Sequence, residues 1–371
     1  MSIEMAWVAG LVFALAWANG ANDIAKGIAT LVGDGTVGAK RAVWWGTLCT
    51  ALGGLTAALW GAELLQTFSS GFLQPGFPIG LDFIGSVLIG ACAWVVFATR
   101  VGLPVSTTHA LLGGVVGAGL VAAGTTGLRL DAVLHKALLP LLVSPLIAVV
   151  LCAVLLLVVR WLTRQVERWV PAWRPGCCAR EAWQQNPFVC ATATSGTASR
   201  AASPWRARAW VNLHWLSSGL TSFARGLNDV PKIAAFLLLV IAIDPAHLKM
   251  GNAHQIVWPM FAVTVVMAFG SLWGGFRVLD VLSQRIATLD SSTGVVANLG
   301  TSILVLAASP LGLPVSTTHV STGALLGIRW AGKQPPGHAD ALKTVLYGWL
   351  ITLPIAALIA ALALRLSVAL H

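Results

Sequence analysis

Charged side chains are scarce in this chain: they make up 10% of its 371 residues, whereas 57% of the residues are hydrophobic. Soluble domains carry about 25% charged residues. A soluble protein of this length could not bury so much apolar surface and still keep a wettable exterior. The composition therefore excludes an ordinary soluble fold, and it predicts an integral, multi-pass membrane protein with lipid as its main solvent.

Cysteine is also rare, with six residues in the whole chain. Cys49, Cys92 and Cys152 fall within apolar runs and are predicted to be small buried hydrophobic side chains. The other three lie in a basic segment, where reduced cytosolic thiols are the expectation. This distribution does not indicate a disulfide framework.

Several catalytic signatures are missing from the sequence. It contains no phosphate-binding Gly-Lys-Ser/Thr loop, no recognisable pairing of a nucleophile with a base and no metal-ligand cluster. We therefore expect neither enzyme activity nor a cofactor. The first apolar run lacks a basic n-region and leads into a polar motif, so no cleavable signal is predicted.

Positive charge is concentrated in one place rather than spread over the chain. The net charge is +10, and arginines dominate a polar stretch between hydrophobic blocks. This distribution indicates a cytoplasmic linker under the positive-inside bias and not a nucleic-acid-binding surface. The arginines of this stretch are Arg160, Arg164, Arg168, Arg174, Arg180, Arg200, Arg206 and Arg208.

The apolar runs vary in length, and several are shorter than the ~20 residues that a full membrane span needs. Gly, Pro and polar residues interrupt them, which is typical of discontinuous or re-entrant helices. We predict an all-α membrane protein with about ten to twelve transmembrane or re-entrant elements. The runs are 6–18, 42–60, 83–98, 111–123, 137–159, 234–243, 256–270, 295–308, 323–328 and 345–364.

Two motifs occur twice, in the same order. The octapeptide Gly-Leu-Pro-Val-Ser-Thr-Thr-His occupies 102–109 and again 312–319, and Asn22-Asp23 is echoed by Asn228-Asp229. Such an internal duplication predicts a transmembrane repeat at 1–165, a basic linker at 166–209 and a second repeat at 210–371. If each half crosses the membrane an odd number of times, the repeats are inverted and both termini lie outside.

The octapeptide predicts a helix that begins inside the membrane. Proline is disfavoured in the interior of a helix, and the serine two residues after it is a natural N-cap. The free N–H groups and the positive dipole end of the new helix would therefore face a cavity. Two such copies could wrap a tetrahedral oxyanion with amides and hydroxyls. The alternative is that these hydroxyls only cap helices and bond to neighbours.

Asp23 and Asp229 each interrupt an apolar setting, where an isolated carboxylate is costly and commonly marks an ion path. Plain capping at an interfacial helix start is the alternative. Pro231 is tolerable if it falls in the first turn of a new half-helix. Lys26 and Lys232 lie three residues beyond each Asp and could pair with it, or they could snorkel to the interface.

Three further residues have open roles. Arg225, shortly before the second Asn-Asp motif, has the same choice between an internal partner and the interface. His109 and His319, which end the octapeptide copies, could bond across helices or relay protons.

The motif Gly20-Ala21-Asn22-Asp23-Ile24-Ala25 and the repeated octapeptide resemble the inorganic phosphate transporter family, the Pit group of phosphate permeases. The resemblance covers both halves and implies a duplicated helical transporter in the plasma (inner) membrane that moves inorganic phosphate with Na⁺ or H⁺. It implies substrate contacts from Asn22, Ser106, Thr107, Thr108, Asn228, Ser316, Thr317 and Thr318. It also implies that Asp23 and Asp229 help to hold coupling cations, with Na⁺ as a candidate.

One departure from the family pattern concerns coupling. The family usually has Asn three residues after the Asp, whereas both copies here have Lys. Our hypothesis is that Lys26 and Lys232 replace or compete with bound sodium and so belong to the coupling-ion site with Asp23 and Asp229. Sulfate or another oxyanion remains an alternative cargo, an anion channel is a further alternative, and the sequence leaves a homodimer open.

Overall fold

A computed structural model describes residues 2–169, 204–243, 252–284, 289–333 and 339–370. Helices dominate this part of the chain, which confirms the predicted all-α fold. Most of the predicted linker, including three of its arginines and Cys177, Cys178 and Cys190, lies outside the described residues. The flanking helices reach into the predicted linker from both sides, because one ends at Trp169 and the next begins at Pro204.

The first half of the chain contains five long helices and two short ones. A five-residue break, 102–106, separates α4 from α5, and π-helical turns follow α3 and α6. The helices are α1 (Ile3–Gly33), α2 (Ala39–Trp60), α3 (Ala62–Gln66), α4 (Leu81–Val101), α5 (Thr107–Ala123), α6 (Leu130–Ala132) and α7 (Leu139–Trp169).

The second half repeats the long helices in the same order. The counterpart of the α4–α5 break lies between Ala308 and Thr317. It consists of a 3₁₀ turn, Ser309–Leu311, and a non-helical segment. The helices are α8 (Pro204–Ala242), α9 (Asn252–Gly274), α10 (Phe276–Gln284), α11 (Ser291–Ala308), α12 (Thr317–Ala331) and α13 (Ala339–Leu370).

Within the described ranges, eight helical segments are long and apolar enough to cross a membrane. They establish an integral, multi-pass membrane protein. The α5 and α12 helices themselves are shorter than a full span, at 17 and 15 residues. Their N-termini are buried in protein, which satisfies the rule that irregular backbone inside a membrane must be shielded from lipid.

Helices of one half pack mainly against helices of the other. The final helix α13 lies on α5 and α4, and its counterpart α7 lies on α12 and α11. Likewise α2 packs on α8, while α9 packs on α1. Each contact in one half therefore has a counterpart in the other, and the two halves interlock instead of standing side by side.

Glycines permit the closest of these contacts. A Cβ added at Gly113 or Gly117 of α5 would lie 2.3 Å and 2.0 Å from backbone oxygens of α13. At Gly323 and Gly327 of α12, the corresponding distances to backbone oxygens of α7 are 2.4 Å and 2.2 Å. Small residues at four-residue spacing thus let the backbones approach, as is usual between membrane helices.

The Asn-Asp motifs correct one expectation. Pro231 does not open a new half-helix, because α8 runs without interruption from Pro204 to Ala242 with Pro231 inside it. The first motif likewise lies within the 31-residue helix α1. Both helices stay continuous because their packing against neighbouring helices stabilises them by more than the missing proline hydrogen bond and the buried polar residues cost. Cys49, Cys92 and Cys152 are buried, as predicted.

Candidate anion-binding site

The first octapeptide copy interrupts the chain between α4 and α5. Gly102 adopts a left-handed conformation with φ 77° and ends α4, and residues 103–105 are non-helical. Ser106 then caps α5 through its Oγ, which accepts a hydrogen bond from the His109 N–H at 3.2 Å. The predicted helix beginning is therefore present, and its capping serine is buried.

The second copy takes the same conformation. Gly312 is left-handed with φ 65°, residues 313–315 are non-helical, and Ser316 caps α12. Its Oγ accepts a hydrogen bond from the His319 N–H at 3.3 Å. Two identical sequences thus produce two matching helix N-termini, and both lie inside the protein.

The two helix beginnings contact each other through their threonines. The Thr108 hydroxyl of the first copy donates to the Val315 carbonyl of the second at 3.5 Å. The Thr318 hydroxyl of the second copy donates to the Val105 carbonyl of the first at 2.8 Å. All four residues are buried, so the copies share one internal region.

The terminal histidines also meet there. The rings of His109 and His319 lie 4.5 Å apart between centroids, and His319 packs on Trp349 at 3.9 Å. The His109 Nδ1 pairs with Ser106 Oγ at 2.9 Å within its own copy. The two rings are tilted by 31° to each other, and among the described residues neither ring makes the hydrogen bond across helices that we expected as one alternative.

The two asparagines hold the interruptions in place. Asn22 on α1 donates to Thr99 Oγ1 at 3.1 Å and to the Leu103 carbonyl at 3.0 Å. Asn228 on α8 donates to a carbonyl of the second interruption at 3.2 Å and accepts from Ser309 Oγ at 3.3 Å. Each amide therefore satisfies backbone and hydroxyl groups of the non-helical segment in its own half.

Lys26 lies inside the protein. Its ammonium contacts the Asp23 carboxylate and donates to the Val105 carbonyl at 3.0 Å. The Thr318 hydroxyl of the other half donates to the same carbonyl. The alternative of a lysine that snorkels to the interface is wrong for this residue, which is only 4% exposed.

Lys232 makes the matching contacts in the second half. Its ammonium lies 3.2 Å from the Asp229 carboxylate and 3.2 Å from the Val315 carbonyl, and it donates to Thr108 Oγ1 at 2.7 Å. A carboxylate, a carbonyl and a hydroxyl are the oxygen ligands that small hard cations prefer. In both halves, an ammonium group lies among such ligands.

Polar groups near the two helix beginnings are left for a ligand. Thr107 Oγ1 accepts from Asn19 Nδ2 at 2.9 Å and keeps its own proton to donate. The Thr317 hydroxyl makes no hydrogen bond to any residue in the part of the chain that the structure describes. The first amides of α5 and α12 have no acceptor within their helices. Two positive dipole ends therefore converge, which is a favourable environment for an anion.

A comparison with protein families agrees with this chemistry. The model of a family described as the phosphate transporter family matches residues 19–360. The chain belongs to this family. The matched range includes both octapeptides and both Asn-Asp motifs, so the resemblance noted from those residues is confirmed. Members of the phosphate transporter family are transporters, and the chain is accordingly not an enzyme.

Relatives cover nearly the whole chain. A protein of Rhizobium meliloti named "Probable low-affinity inorganic phosphate transporter" is 30% identical over 345 residues, which span 93% of this chain and 90% of that protein. A protein of the same name from Mycobacterium tuberculosis is 26% identical and covers 92% of this chain and 72% of its own length. The phosphate transporter relationship therefore extends over both halves.

A solved structure entitled "The sodium-dependent phosphate transporter" shares the fold. It superimposes with a TM-score of 0.80, and the alignment covers 100% of each chain. The sequences are 24% identical. This similarity shows that the fold is shared over the whole chain.

Two buried residues of this transporter were not recognised as site residues from the motifs. Asn19 donates to Asp23 Oδ2 at 3.2 Å as well as to Thr107. Arg225 is 1% exposed, so the interfacial position left open for it is wrong. A signal was available, because the 206 residues that separate Asn22 from Asn228 also separate Asn19 from Arg225.

Proposed function

We propose that the chain is a secondary transporter of inorganic phosphate. Membership of the phosphate transporter family and the names of the relatives support this cargo. The observation that carries the proposal is the meeting of two buried helix N-termini, one from each half, through Thr108 and Thr318. A small tetrahedral anion between them would neutralise both dipole ends at once.

The eight predicted residues have complementary roles in this proposal. Thr107, Thr317 and the first amides of α5 and α12 donate to phosphate oxygens. Ser106 and Ser316 cap those helices, and Thr108 and Thr318 join the two halves. Asn22 and Asn228 hold the interruptions in position, so they act on the substrate through the backbone amides that they orient.

The coupling-ion site of this protein contains lysines, so it differs from a sodium site that Asp23 and Asp229 would form alone. The ammonium groups of Lys26 and Lys232 occupy the carboxylate and carbonyl oxygens that a sodium ion would need. Sodium could bind there only if the lysines moved away, which would leave two buried ammonium groups without partners. Lys26 and Lys232 therefore replace sodium, and transport proceeds without it.

The energetics of uptake then point to protons. Moving one charge across 100 mV is worth about 2.3 kcal/mol, so a phosphate dianion that enters a negative interior alone would cost about 4.6 kcal/mol. Co-transported protons remove this cost, because they neutralise the charge that crosses. The proposed activity is thus proton-coupled phosphate symport.

The proposal also covers the arrangement in the membrane. The two repeats, 1–165 and 210–371, are inverted relative to each other, with the basic linker 166–209 in the cytoplasm and both termini outside. The reciprocal packing of α13 on α5 and of α7 on α12 supports a two-fold relationship between the halves. The plasma membrane is the proposed location.

The test is uptake of radiolabelled phosphate into proteoliposomes, with sodium and pH gradients varied separately. We expect saturable uptake that an inward proton gradient accelerates and that sodium does not change. Thr107→Val combined with Thr317→Val should reduce uptake at least about tenfold, the effect of ~1.4 kcal/mol. Thr264→Val is the matched control, because among the described residues the Thr264 hydroxyl bonds only within its own helix, to the Met260 carbonyl.

The outcomes separate the alternatives. Sulfate uptake that phosphate does not inhibit would show another oxyanion as the cargo. Ohmic flux without saturation would show a channel. Accumulation that needs sodium and ignores the pH gradient would refute the role given to the lysines.

A further inference from the structure

Arg225 is a buried cation without a buried anion as its direct partner. Its guanidinium donates from Nη2 to Thr50 Oγ1 at 2.9 Å and to Ser271 Oγ at 3.4 Å. Its Nε and Nη1 make no hydrogen bond within the described part of the chain. Asp23 and Asp229 attract it electrostatically, but neither approaches to ion-pair distance. A buried guanidinium with unpaired N–H groups destabilises the protein unless a ligand accepts hydrogen bonds from them.

An unsatisfied acceptor lies on the same helix. The Asp229 Oδ1 receives both Lys232 and the Asn228 amide, whereas its Oδ2 is buried and has no partner among the described residues. Arg225 and Asp229 are four residues apart, so they share one face of α8. Two free donors and one free acceptor therefore lie on one face of α8.

The first half lacks this combination. The counterpart of Arg225 is Asn19, whose amide donates to Asp23 Oδ2 at 3.2 Å. The other oxygen of Asp23 contacts Lys26. Asn19 Oδ1 accepts no hydrogen bond from the described residues, and Asp23 Oδ1 has only its ion contact with Lys26. The first half therefore keeps unpaired acceptors, whereas the second half combines the free donors of Arg225 with a free carboxylate oxygen, and the duplicated site is asymmetric.

The balance of buried charges also indicates that an anion binds in the second half. The two carboxylates, Asp23 and Asp229, are matched by Lys26 and Lys232, and Arg225 is left as a third cation. An anionic ligand would supply the missing negative charge. Guanidinium groups are well suited to this purpose, because their N–H groups match the oxygens of a tetrahedral oxyanion.

We propose that Arg225 and Asp229 form the subsite that selects a protonated tetrahedral oxyanion, such as phosphate or arsenate, over sulfate. The Arg225 Nε and Nη1 donate to unprotonated oxygens of the ligand, and Asp229 Oδ2 accepts from its P–OH or As–OH group. Sulfate has no proton to donate at neutral pH, so its oxygen would meet a bare carboxylate oxygen. This inference rests on the proposed phosphate transport and adds its basis of selectivity.

The test is isothermal titration of the full-length protein in nanodiscs with inorganic phosphate, arsenate and sulfate. We expect the wild type to bind phosphate and arsenate and to bind sulfate at least about 100-fold more weakly. Asp229→Asn replaces the acceptor with a group that can donate, so the affinity ratio of sulfate to phosphate should rise at least about 30-fold.

Asp23→Asn is the matched control, because it changes the net charge by the same amount but alters a carboxylate on α1, whose counterpart of Arg225 is the uncharged Asn19. Its affinity ratio should stay within about threefold of the wild type. Arg225→Gln should weaken phosphate binding about 30-fold, and Arg225→Lys, which keeps the charge, should weaken it less.

Three other results would contradict the inference or the proposed function. Equal ratios in Asp229→Asn and Asp23→Asn would reduce the effect to net charge and overturn the inference. So would wild-type phosphate affinity in a folded Arg225→Gln variant. Should that variant not fold, the comparison of the two nearly isosteric Asp→Asn variants decides alone. A wild type that binds no phosphate would overturn the proposed function as well.

Discussion

At the scale of single residues, the interior holds charges that lipid could not solvate. Asp23 with Lys26 and Asp229 with Lys232 form ion pairs three residues apart on a helix, and both pairs also reach backbone carbonyls of the helix interruptions. Removing one partner from such a pair strands the other, at a cost of roughly 3–5 kcal/mol. Loss of a lysine therefore destabilises the fold unless another cation takes its place beside the carboxylate.

The lysines can be tested by restoring the family residue. Lys26→Asn combined with Lys232→Asn frees two carboxylates and their neighbouring carbonyls for a cation. Uptake should then become sodium-stimulated, at least about tenfold, in the proteoliposome assay. Lys40→Asn, at an exposed position on α2, is the control and should leave uptake sodium-independent. A double variant that remains active and insensitive to sodium would contradict the proposed replacement.

A second residue-scale prediction concerns the end of α1. Asp34 Oδ2 pairs with His214 Nδ1 at 2.8 Å and accepts from Ser291 Oγ at 2.9 Å, and its Oδ1 accepts from the Thr36 N–H at 2.8 Å. Burial alone would raise the pKa of Asp34, but the hydrogen bonds from His214 and Thr36 outweigh it, so the pKa lies below its ordinary value.

Because the folded-state pKa is depressed, ionised Asp34 stabilises the fold above the ordinary carboxyl pKa of about 3.9. This stabilisation is lost as the pH falls through the lower folded-state pKa. Asp34→Asn should therefore lower the free energy of unfolding by about 1–3 kcal/mol at pH 7. Thermal unfolding in detergent would measure the difference, which should shrink below pH 4. A difference that is constant over this range would show that the charge of Asp34 is not involved.

At the scale of helices, the octapeptide specifies its own conformation. Left-handed glycine, proline in a non-helical segment and a serine cap follow in order, and both copies fold alike. This local chemistry made the helix interruptions predictable. The continuity of α1 and α8 through the Asn-Asp motifs was not predictable in the same way, because it depends on neighbouring helices that replace water around polar residues and Pro231.

Helix packing offers a test by a single methyl group. A Cβ at Gly117 of α5 would lie 2.0 Å from the Ala357 carbonyl oxygen of α13, so Gly117→Ala forces the two backbones apart. We expect a loss of about 1–3 kcal/mol, measured as a lower unfolding temperature in detergent.

Gly10→Ala on α1 is the matched control, since a Cβ at Gly10 meets nothing within 4 Å. Alanine favours helix more than glycine does, so this variant should be neutral or slightly more stable. Equal unfolding temperatures for Gly117→Ala and the wild type would show that the α5–α13 contact can relax freely.

At the scale of the whole molecule, duplication places one half's groups in the other half's site. Thr108 bonds to the second octapeptide, and Thr318 bonds to the first. The repeated motifs predicted that the copies would meet. They did not predict the interlocked packing of α13 on α5 and α7 on α12, because sequence repetition specifies equivalent elements but not their partners.

The asymmetry between the halves was also beyond the motifs. Asn19 and Arg225 are equivalent in position but different in charge, and only the contacts show that one donates to a carboxylate while the other is left with free donors. The repeat spacing aligns the two residues, so their difference could be noticed from the sequence. Its consequence depends on which neighbouring helices supply Thr50 and Ser271.

The central claim is that both halves bind one anion together, and the most direct test is the stoichiometry of phosphate binding in nanodiscs. Titration calorimetry should give one phosphate per chain. Thr107→Val and Thr317→Val should each weaken that single site at least about tenfold without changing the stoichiometry. Two phosphates per chain, with each variant abolishing one of them, would contradict the claim.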